Sequence, residues 1–412
     1  MTDASSDYEQ LLALHHAMQL RRSLREEGRR TAPVTARRPT GYPEREGDQA
    51  LMVASLETIG SSADEVVRSF YAQLFLGRPY LRGLFPAGLR ADGDRLFNAL
   101  IGLAEALSDL PRLVEWLEQL GRDHRKYGIR PAHYDAVRQA LVGALREHAA
   151  AGWRPEYEQA WLRAYDFAAA VMQSAEAAST DPPYWQGTIV AHHRPYLDIA
   201  VMKVRTDVAY RYRAGQYTTI EVPAVPRAWR PYSMATAPRP DGVLEFHVRA
   251  IDLGQVSTAL VHDMGVGSTL RLGPPMGSAV IETTGERPLL VVAGGTGLAP
   301  CRAIVEQVLT TQPGRPVRLV FGARQTQELY NLPILAQLAE RYPAFTLVPV
   351  ATDDPDFPGP RGALPELVAS TGPWHQHEVY LSGPPGLVHA LDRVLSRLQV
   401  PPEQIHHDPV PD

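Results

Sequence analysis

VAGGTGLAP, at residues 292–300, follows a short apolar run and leads into a helical pattern. Its glycines let backbone N–H groups approach a pyrophosphate, and the N-terminus of the helix that follows favours the ligand's negative charge. Three further apolar runs, at 317–323, 345–351 and 378–382, are also followed by helical sequence. Buried strands that alternate with helices are typical of a doubly wound parallel sheet. We therefore predict an α/β nucleotide-binding domain over residues 285–412.

The region just upstream, residues 184–284, contains short strand-like runs separated by Pro, Gly and Asp. About six such strands predict an antiparallel β-barrel. Arg230-Pro231-Tyr232-Ser233, preceded by Gly215-Gln216-Tyr217, lies within it. An arginine there can bind a diphosphate, the tyrosine ring can stack on a flavin, and the serine can hydrogen-bond to the flavin. Gly254-Gln255-Val256-Ser257 then opens a short helix whose backbone N–H groups can bind a diphosphate.

The region before the barrel, residues 51–178, has apolar residues at helical spacing almost throughout. Leu113, Leu117 and Leu120 form one such stripe, and Gly128 is placed to close that helix. We predict a helical bundle here. The preceding residues 1–50 are polar and rich in arginine, and they predict a flexible extension around one short helix.

The composition excludes several classes of protein. The 412 residues allow about two to three domains. A net charge of −5 argues against a nucleic-acid binder. No apolar run of about 18 residues predicts a membrane span, and the first residues do not resemble a secretory signal. The single cysteine, Cys301, excludes intrachain disulfides, which fits a cytoplasmic protein. We expect Cys301 to pack in the core.

The motifs from Gln216 to Leu381-Ser382-Gly383-Pro384-Pro385, in this order and spacing, resemble the ferredoxin–NADP reductase family of flavoproteins. The resemblance implies an FAD site and a site for NAD(P)H. The implied FAD residues are Gln216, Arg230, Tyr232, Ser233, Gly254, Val256 and Ser257. The implied nucleotide residues are Gly295, Thr296, Gly297, Gly383 and Pro384.

Two positions depart from that family's pattern. Ser382 stands where many members carry a cysteine near the nicotinamide, and the tail at 406–410 lacks the aromatic ring that many place over the flavin. The coenzyme's ribose specificity stays open between NADH, which we slightly prefer, and NADPH. Arg324 follows the second predicted parallel strand and is either a solvated side chain or a contact for a 2′-phosphate.

The helical region also resembles a known family. FYAQLF (70–75), LFNALIGLAEALSDLPRLVEWLEQLGRDH (96–124), PAHY (131–134) and AWLRAY (160–165) are similar to bacterial globins, and particularly to the globin half of flavohaemoglobins. The order of globin, FAD domain and NAD(P) domain is the flavohaemoglobin order. The resemblance implies haem b, with His124 as the ligand of its iron.

The same resemblance assigns roles around the haem. Tyr71 is implied as the distal tyrosine that hydrogen-bonds to dioxygen, with Phe85 packing against the haem and Leu96 over its distal side. Tyr134 is implied to orient the proximal histidine, and Glu176 to complete that network. Each residue has a plainer alternative, which is core packing for the apolar and aromatic ones and an exposed helix end for Glu176.

Two features depart from flavohaemoglobins. The basic residue that usually precedes the proximal histidine is replaced by Asp123. The segment between Phe85 and Leu96 is about three residues short, so the distal glutamine has no obvious counterpart, and Asp92 or Arg95 lies in that stretch.

The implied activity is electron transfer from NAD(P)H through FAD to a globin haem, with nitric oxide dioxygenation to nitrate as the reaction. Dioxygen and nitric oxide would be the substrates. One alternative is a flavin reductase whose globin serves other oxygen or peroxide chemistry, or that reduces an external acceptor. Another is a globin that acts as a sensing or interaction module.

Overall fold

The computed structural model describes residues 47–59, 63–85, 99, 102–104, 106–149, 152–282 and 284–408. The predictions for residues 1–46, for Leu96 and for the segment that precedes Leu96 lie outside the described residues.

The first third of the described chain, up to residue 178, is all-helical, as the resemblance to globins predicts. Its helices are α1 (Asp48–Ile59), α2 (Ala63–Gly77), α3 (Leu110–His124), α4 (Pro131–Ala149) and α5 (Pro155–Ala178). α1 begins at Asp48, inside the range predicted as an extension. The reason is an ion pair, because the buried Asp48 carboxylate accepts hydrogen bonds from Arg163 on α5. This pair fixes the first turn of α1 to the globin core.

The crossing of α3 and α5 depends on a glycine. A Cβ at Gly121 would overlap the backbone carbonyl and Cα of Met172. The two helices therefore pack backbone to backbone at this point. Because His124 lies three residues beyond Gly121 and Glu176 four beyond Met172, the crossing brings the ends of both helices to one side of the globin.

The middle of the chain folds into the predicted antiparallel sheet. Its strands are β1 (Trp185–Tyr196), β2 (Ile199–Thr206), β3 (Tyr217–Glu221), β4 (Arg230–Ser233), β5 (Val243–Arg249) and β6 (Thr269–Leu272), with the short helix α6 (Gln255–Thr258) between the last two. The strand order is β4-β3-β6-β1-β2-β5. A bridge between Met234 and Phe246 joins the two outer strands, so the sheet closes on itself as a barrel.

The C-terminal region is the predicted doubly wound domain. Its elements are β7 (Leu289–Gly294), α7 (Leu298–Thr311), β8 (Val317–Ala323), α8 (Leu332–Arg341), β9 (Phe345–Ala351), α9 (Leu364–Thr371), β10 (Glu378–Ser382), α10 (Pro385–Arg397) and β11 (Ile405–His406). The parallel order is β11-β10-β7-β8-β9. The chain winds outward from β7 to β9 and returns beside β7 as β10, so the order reverses at the ends of β7 and β10, where such folds bind ligands.

The predicted fold class is confirmed in all three parts: an all-α domain, an antiparallel β-barrel and an α/β domain with a parallel sheet. Across the part of the chain that the structure describes, we find no helix with both the length and the apolar character needed to cross a membrane.

Candidate functional site

The predicted proximal ligand, His124, is the last residue of α3. Burial lowers the pKa of its imidazole to about 4, with Asp123 raising and Lys126 lowering it to smaller extents. The ring is therefore neutral at pH 7, which is the form that binds a metal. Its Nδ1 lies 3.4 Å from the Tyr134 hydroxyl, while its Nε2 has no hydrogen-bond partner among the described residues.

Tyr134 on α4 lies against that histidine, and the Glu176 carboxylate on α5 is close enough to Tyr134 for its charge to act on it. Tyr134 is buried, and Tyr165 donates a hydrogen bond to its backbone carbonyl at 2.9 Å. Burial, and then the nearby charge of Glu176, raise the pKa of Tyr134. Burial also raises the pKa of the half-buried Glu176, against the opposing effect of Arg125. The structure thus brings His124 and Tyr134 to hydrogen-bond distance, whereas Glu176 is connected to them only by the effect of its charge on Tyr134.

Tyr71, the predicted distal tyrosine, and Phe85 lie in an aromatic cluster on α2 and the turn after it. Tyr71 is buried, stacks on Phe75 at 5.7 Å between ring centres, and meets Phe85 edge to face at 5.5 Å. Phe75 and Phe85 also meet edge to face at 5.4 Å. The structure therefore places Tyr71 and Phe85 side by side.

The globin residues fit a haem group by the chemistry of the donor set. An imidazole that binds iron through Nε2 carries its proton on Nδ1, and Tyr134 is placed to accept it. The aromatic cluster on α2 supplies the apolar, flat surfaces that a porphyrin requires. His124 would hold the iron, and Tyr71 would supply a hydroxyl on the distal side.

A cleft of about 330 Å³ lies between the barrel and the α/β domain, where a flavin is expected. Tyr217 on β3 and Ser233 on β4 face each other across the strand pair and both line it. Burial raises the pKa of Tyr217 to about 12, so its hydroxyl stays protonated at pH 7. Gly215, with φ of +101°, lies so close to the Ala279 carbonyl that a Cβ would overlap it. This narrow, partly aromatic cradle fits an isoalloxazine ring.

The other predicted FAD residues are distributed around that strand pair. Arg230 is half-buried beside Tyr232, whose pKa is raised by burial and lowered to a lesser extent by the Arg230 charge. Gln216 accepts a hydrogen bond from the Arg213 amide with its side chain, at 2.8 Å. Arg230 and Tyr232 keep the chemistry expected of a diphosphate contact and a stacking ring.

At Gly254 the sequence predicts a short helix whose first backbone N–H groups bind a diphosphate, and the structure gives a less open arrangement. Gly254 precedes the four-residue helix α6, and the Ser257 hydroxyl donates to the Gly254 carbonyl at 2.9 Å. The Val256 side chain is buried in the barrel core. Only the backbone of Val256 is therefore left to meet a ligand.

The nucleotide motifs meet at the switch point of the parallel sheet. Gly295, Thr296 and Gly297 form a 3₁₀ turn after β7. A Cβ at Gly297 would overlap the backbone of Ser382 and Gly383, so both glycine-rich turns touch directly. Ser382 and Gly383 line the flavin cleft, whereas Gly295 and Pro384 line a neighbouring cavity of about 690 Å³. Such an arrangement suits a dinucleotide that reaches from the cavity into the cleft.

The sequence leaves the role of Arg324 open and predicts that Cys301 packs in the core. Arg324 lines the larger cavity with 70% of its side chain exposed, and it pairs with Glu328 at 3.7 Å. Cys301 is buried, and burial raises the pKa of its thiol. The thiol is therefore protonated and packs in the core, as expected.

The C-terminal tail supplies cleft residues that the sequence did not assign. His406 stacks on Tyr380 with ring centres 4.7 Å apart, and His406 and His407 line the flavin cleft. The Asp408 carboxylate accepts a hydrogen bond from the Ser278 amide at 3.0 Å, which ties the tail to the barrel. The tail therefore closes this side of the cleft with imidazole and carboxylate groups. The unusual tail sequence was the only signal for this arrangement.

The sequence also missed Lys126, which lies two residues after His124. Its ammonium contacts the Asp123 carboxylate and donates to Thr219 Oγ1 on β3 at 2.6 Å. The spacing of three residues between Asp123 and Lys126 was the available signal, since such residues are neighbours on a helical turn. The contact with β3 had no signal in the sequence.

Comparison with protein families divides the chain in the same way. The model described as Globin matches residues 68–172, the Oxidoreductase FAD-binding domain matches 188–281, and the Oxidoreductase NAD-binding domain matches 291–393. These matches confirm the predicted cofactor set of FAD, NAD(P)H and haem b at the level of the domains.

Among curated proteins, the reductase half and the whole chain have different relatives. A ferredoxin–NAD(P)⁺ reductase component of naphthalene dioxygenase systems from a Ralstonia species is 35% identical over 228 residues, or 54% of this chain and 68% of that protein. The flavohemoprotein of Deinococcus radiodurans is 27% identical over 390 residues, or 86% of this chain and 94% of the relative. The flavohemoprotein of Bacillus subtilis is 22% identical over 387 residues, or 87% and 95%.

Solved structures agree with this division. The ferredoxin reductase in carbazole 1,9a-dioxygenase matches 56% of this chain and 71% of its own, with a TM-score of 0.52 and 30% identity. The flavohemoglobin of Malassezia yamatoensis, solved with bound FAD and heme, matches 88% of this chain and 98% of its own, with a TM-score of 0.74 and 20% identity. The chain therefore has the domain architecture of the flavohaemoglobins, to which it is similar over most of its length, with a globin joined to a ferredoxin–NADP reductase-type FAD and NAD(P) module.

Proposed function

We propose that this flavohaemoglobin-type oxidoreductase is a nitric oxide dioxygenase, which converts nitric oxide and dioxygen to nitrate. The observation that carries the proposal is the buried, neutral His124 with Tyr134 at its Nδ1, in a chain that also has a nicotinamide and flavin cleft. Each nitrate formed from nitric oxide and dioxygen takes up one electron. One NAD(P)H, which supplies two, therefore supports two turnovers.

The cofactors supply the redox chemistry. When bound, FAD takes up a hydride from NAD(P)H and releases its electrons singly to haem iron, which accepts one at a time. The protein's contribution is to hold these groups, to exclude water and to place polar groups around them.

The residues of the reductase half would bind and orient FAD and the nicotinamide nucleotide. Gly295 and Gly297 allow backbone N–H groups to meet the pyrophosphate, while Arg230 suits the FAD diphosphate. Ser233 offers a hydroxyl to the flavin from the cleft wall, and Ser382 lines the opposite wall.

The globin residues set the environment of the iron on its two sides. The Tyr134 hydroxyl, with the Glu176 charge acting on it, would orient His124 and so tune the electron density that this ligand supplies. Tyr71, buried between Phe75 and Phe85, offers a hydroxyl to a small ligand on the distal side. The aromatic rings that pack against the Tyr71 ring would keep water away from this side and strengthen a hydrogen bond donated there.

The test follows nitric oxide with an electrode while NAD(P)H drives the purified full-length protein. We expect a Soret band beside the flavin bands, and rapid consumption that His124→Ala abolishes and Tyr71→Phe slows. Tyr80→Phe is the matched control, because that tyrosine is 47% exposed. His124→Ala should still reduce ferricyanide with NAD(P)H, because its flavin cleft is intact.

Two results would overturn the proposal. Flavin bands without a Soret band would show that the globin holds no haem. Consumption of nitric oxide that is unchanged in His124→Ala would place the reaction elsewhere.

A second candidate function is reduction of an external acceptor. The observation in its favour is that the reductase half is 35% identical to ferredoxin reductase components, against 27% for the whole chain and a flavohemoprotein. Under this candidate an added ferredoxin would compete with haem for electrons. The rate of ferredoxin reduction, measured in wild type and His124→Ala, distinguishes the two functions.

A further inference from the structure

The junction between the globin and the FAD barrel contains a fully buried lysine side chain, that of Lys126. It lies on the 3₁₀ turn Arg125–Tyr127, which directly follows His124. Its ammonium forms an ion pair with Asp123 and donates a hydrogen bond to Thr219 Oγ1 at 2.6 Å. Because Thr219 belongs to β3 of the barrel, this one side chain connects both halves of the molecule.

Two aromatic rings also lie beside that ammonium. Lys126 Nζ lies 4.8 Å from the centre of the Trp229 ring and 5.0 Å from that of Tyr127. The two rings pack edge to face with centres 6.3 Å apart. A buried ammonium is tolerated only when charge, hydrogen bonds and ring faces replace its water. All three are present here, so the position of Lys126 is tightly determined.

The barrel side of this contact carries the FAD motif. Thr219 pairs with Pro231 across β3 and β4, and Trp229 directly precedes Arg230. The Arg230 guanidinium donates a hydrogen bond to the Trp229 carbonyl at 3.0 Å. Lys126 therefore touches β3 and the residue that precedes β4, the strand that carries Arg230, Tyr232 and Ser233.

A glycine permits the close approach of the two halves. A Cβ at Gly273, just after β6, would overlap Thr219 Oγ1 and lie 3.3 Å from Asp123 Oδ1. A second contact lies on the other side of the turn, where Arg125 donates to the Ser179 hydroxyl and to the Asp181 carbonyl. Both residues that follow His124 are thus fixed to structure outside the globin helices.

We propose that Asp123, Lys126 and Thr219 form an interdomain latch, which holds the histidine end of α3 at a fixed distance from the FAD-motif strands. The latch residues are positioning residues, since none of them would contact the reacting atoms. The rate of electron transfer falls steeply with distance, so a contact that fixes the spacing of the two cofactor sites would also fix the rate of transfer between them. The inference rests on the proposed electron route, and it gives Asp123 a use in a position where related globins carry a basic residue.

The sharpest test is Thr219→Val in the full-length protein, because valine keeps the shape and removes only the hydrogen bond. We expect haem reduction by NAD(P)H, followed by stopped-flow absorbance, to slow by about tenfold, while flavin reduction is unchanged. Hydrogen exchange of the amides at 123–128 and 217–221 should quicken by a similar factor. Thr188→Val is the matched control, since Thr188 is exposed on β1 of the same barrel.

A second variant removes the charges together. Asp123→Asn combined with Lys126→Met leaves no unpaired buried charge, so the protein should fold while the latch is lost. We expect a larger fall in the haem reduction rate than in Thr219→Val, again with unchanged flavin reduction.

Two outcomes would overturn the latch. Unchanged haem reduction and unchanged amide exchange in both variants would show that the contact does not fix the halves. A parallel fall of flavin and haem reduction would show that these residues only maintain the barrel. The exchange measurement needs no haem, so a protein without a Soret band would refute the proposed function and leave the latch open to this test.

Discussion

The candidate flavin and nicotinamide sites in the reductase half are built largely from backbone, whereas the candidate haem site in the globin half is built from a few side chains. In the reductase half, Gly297 packs directly on the Ser382–Gly383 backbone, and Gly215 packs on the Ala279 carbonyl. In the globin half, the site rests on the imidazole of His124 and the hydroxyl of Tyr134.

This difference determines how each site responds to sequence change. A backbone-built site keeps its shape under many side-chain substitutions, provided that its glycines remain. A side-chain site loses its chemistry with a single residue. The departures from flavohaemoglobins at Asp123 and in the segment before Leu96 therefore matter more than Ser382 does, because serine is nearly isosteric with the cysteine that it replaces.

The largest expected effect tests the backbone rule directly. Gly297→Val forces a side chain into the Ser382–Gly383 backbone, and we expect kcat/KM for NAD(P)H-driven ferricyanide reduction to fall by about a hundredfold. Gly314→Val is the control, because a Cβ there meets no atom within 4 Å. Flavin and Soret absorbance should be unchanged. A fall of less than about threefold would show that the glycine turn does not form the nucleotide site.

The next largest effect is a loss of stability at acid pH. It comes from a network of side chains inside the reductase half, and so tests whether side chains also matter in the half whose sites are built from backbone. Glu245 on β5 is buried and bonds to Arg302 on α7 at 2.6 Å and to His247 at 3.2 Å. Burial raises the pKa of Glu245, but hydrogen bonds and charges from His247 and Arg302 outweigh it and lower the pKa to about 2. Since the folded pKa lies below the unfolded value, the stabilisation is complete above about pH 4.5 and is lost as the pH falls toward 2.

Urea unfolding at a series of acid pH values checks this. Between about pH 5 and pH 2, the wild type should lose about 3 kcal/mol more unfolding free energy than Glu245→Gln does. Glu366→Gln, at an exposed position of α9, should follow the wild type. Parallel curves for wild type and Glu245→Gln would contradict the assignment.

The smallest effect asks whether the globin site also depends on backbone. In an open helix, Gly→Ala is stabilising by about 0.5–1 kcal/mol. At Gly121 the new Cβ overlaps Met172 backbone atoms, so we expect the opposite sign, a loss of about 1–3 kcal/mol with faster haem release. Thermal unfolding and Soret absorbance measure both. Gly102→Ala, where a Cβ meets nothing within 4 Å, should behave as in an open helix.

The fold could be predicted where local pattern decides it. Apolar runs such as that at 317–323 became parallel strands, and the stripe of Leu113 and Leu117 became the buried face of α3. The start of α1 was missed, since the Asp48–Arg163 ion pair that fixes it joins residues 115 positions apart. Such long-range pairs leave no periodic signal.

The candidate sites could likewise be predicted where local sequence motifs define them, and not where they depend on long-range contacts. The resemblance to globins named His124 and Tyr134, which the structure brings within 3.4 Å. It could not foresee that the Val256 side chain points into the core, because a motif fixes spacing and not orientation. The contact between Lys126 and Thr219 spans 93 positions and depends on the packing of two separate domains. Sequence reasoning from one chain has no access to it.

The hydrogen bonds of Arg125 to Ser179 and Asp181 have a consequence for exchanging modules between proteins. They fix the segment between α5 and β1 to Arg125, the residue after His124. A globin transplanted onto another reductase by joining the chains at this segment would lose the brace unless Arg125, Ser179 and Asp181 moved together. The unit of exchange is therefore larger than the globin itself, and it includes the first residues beyond its last helix.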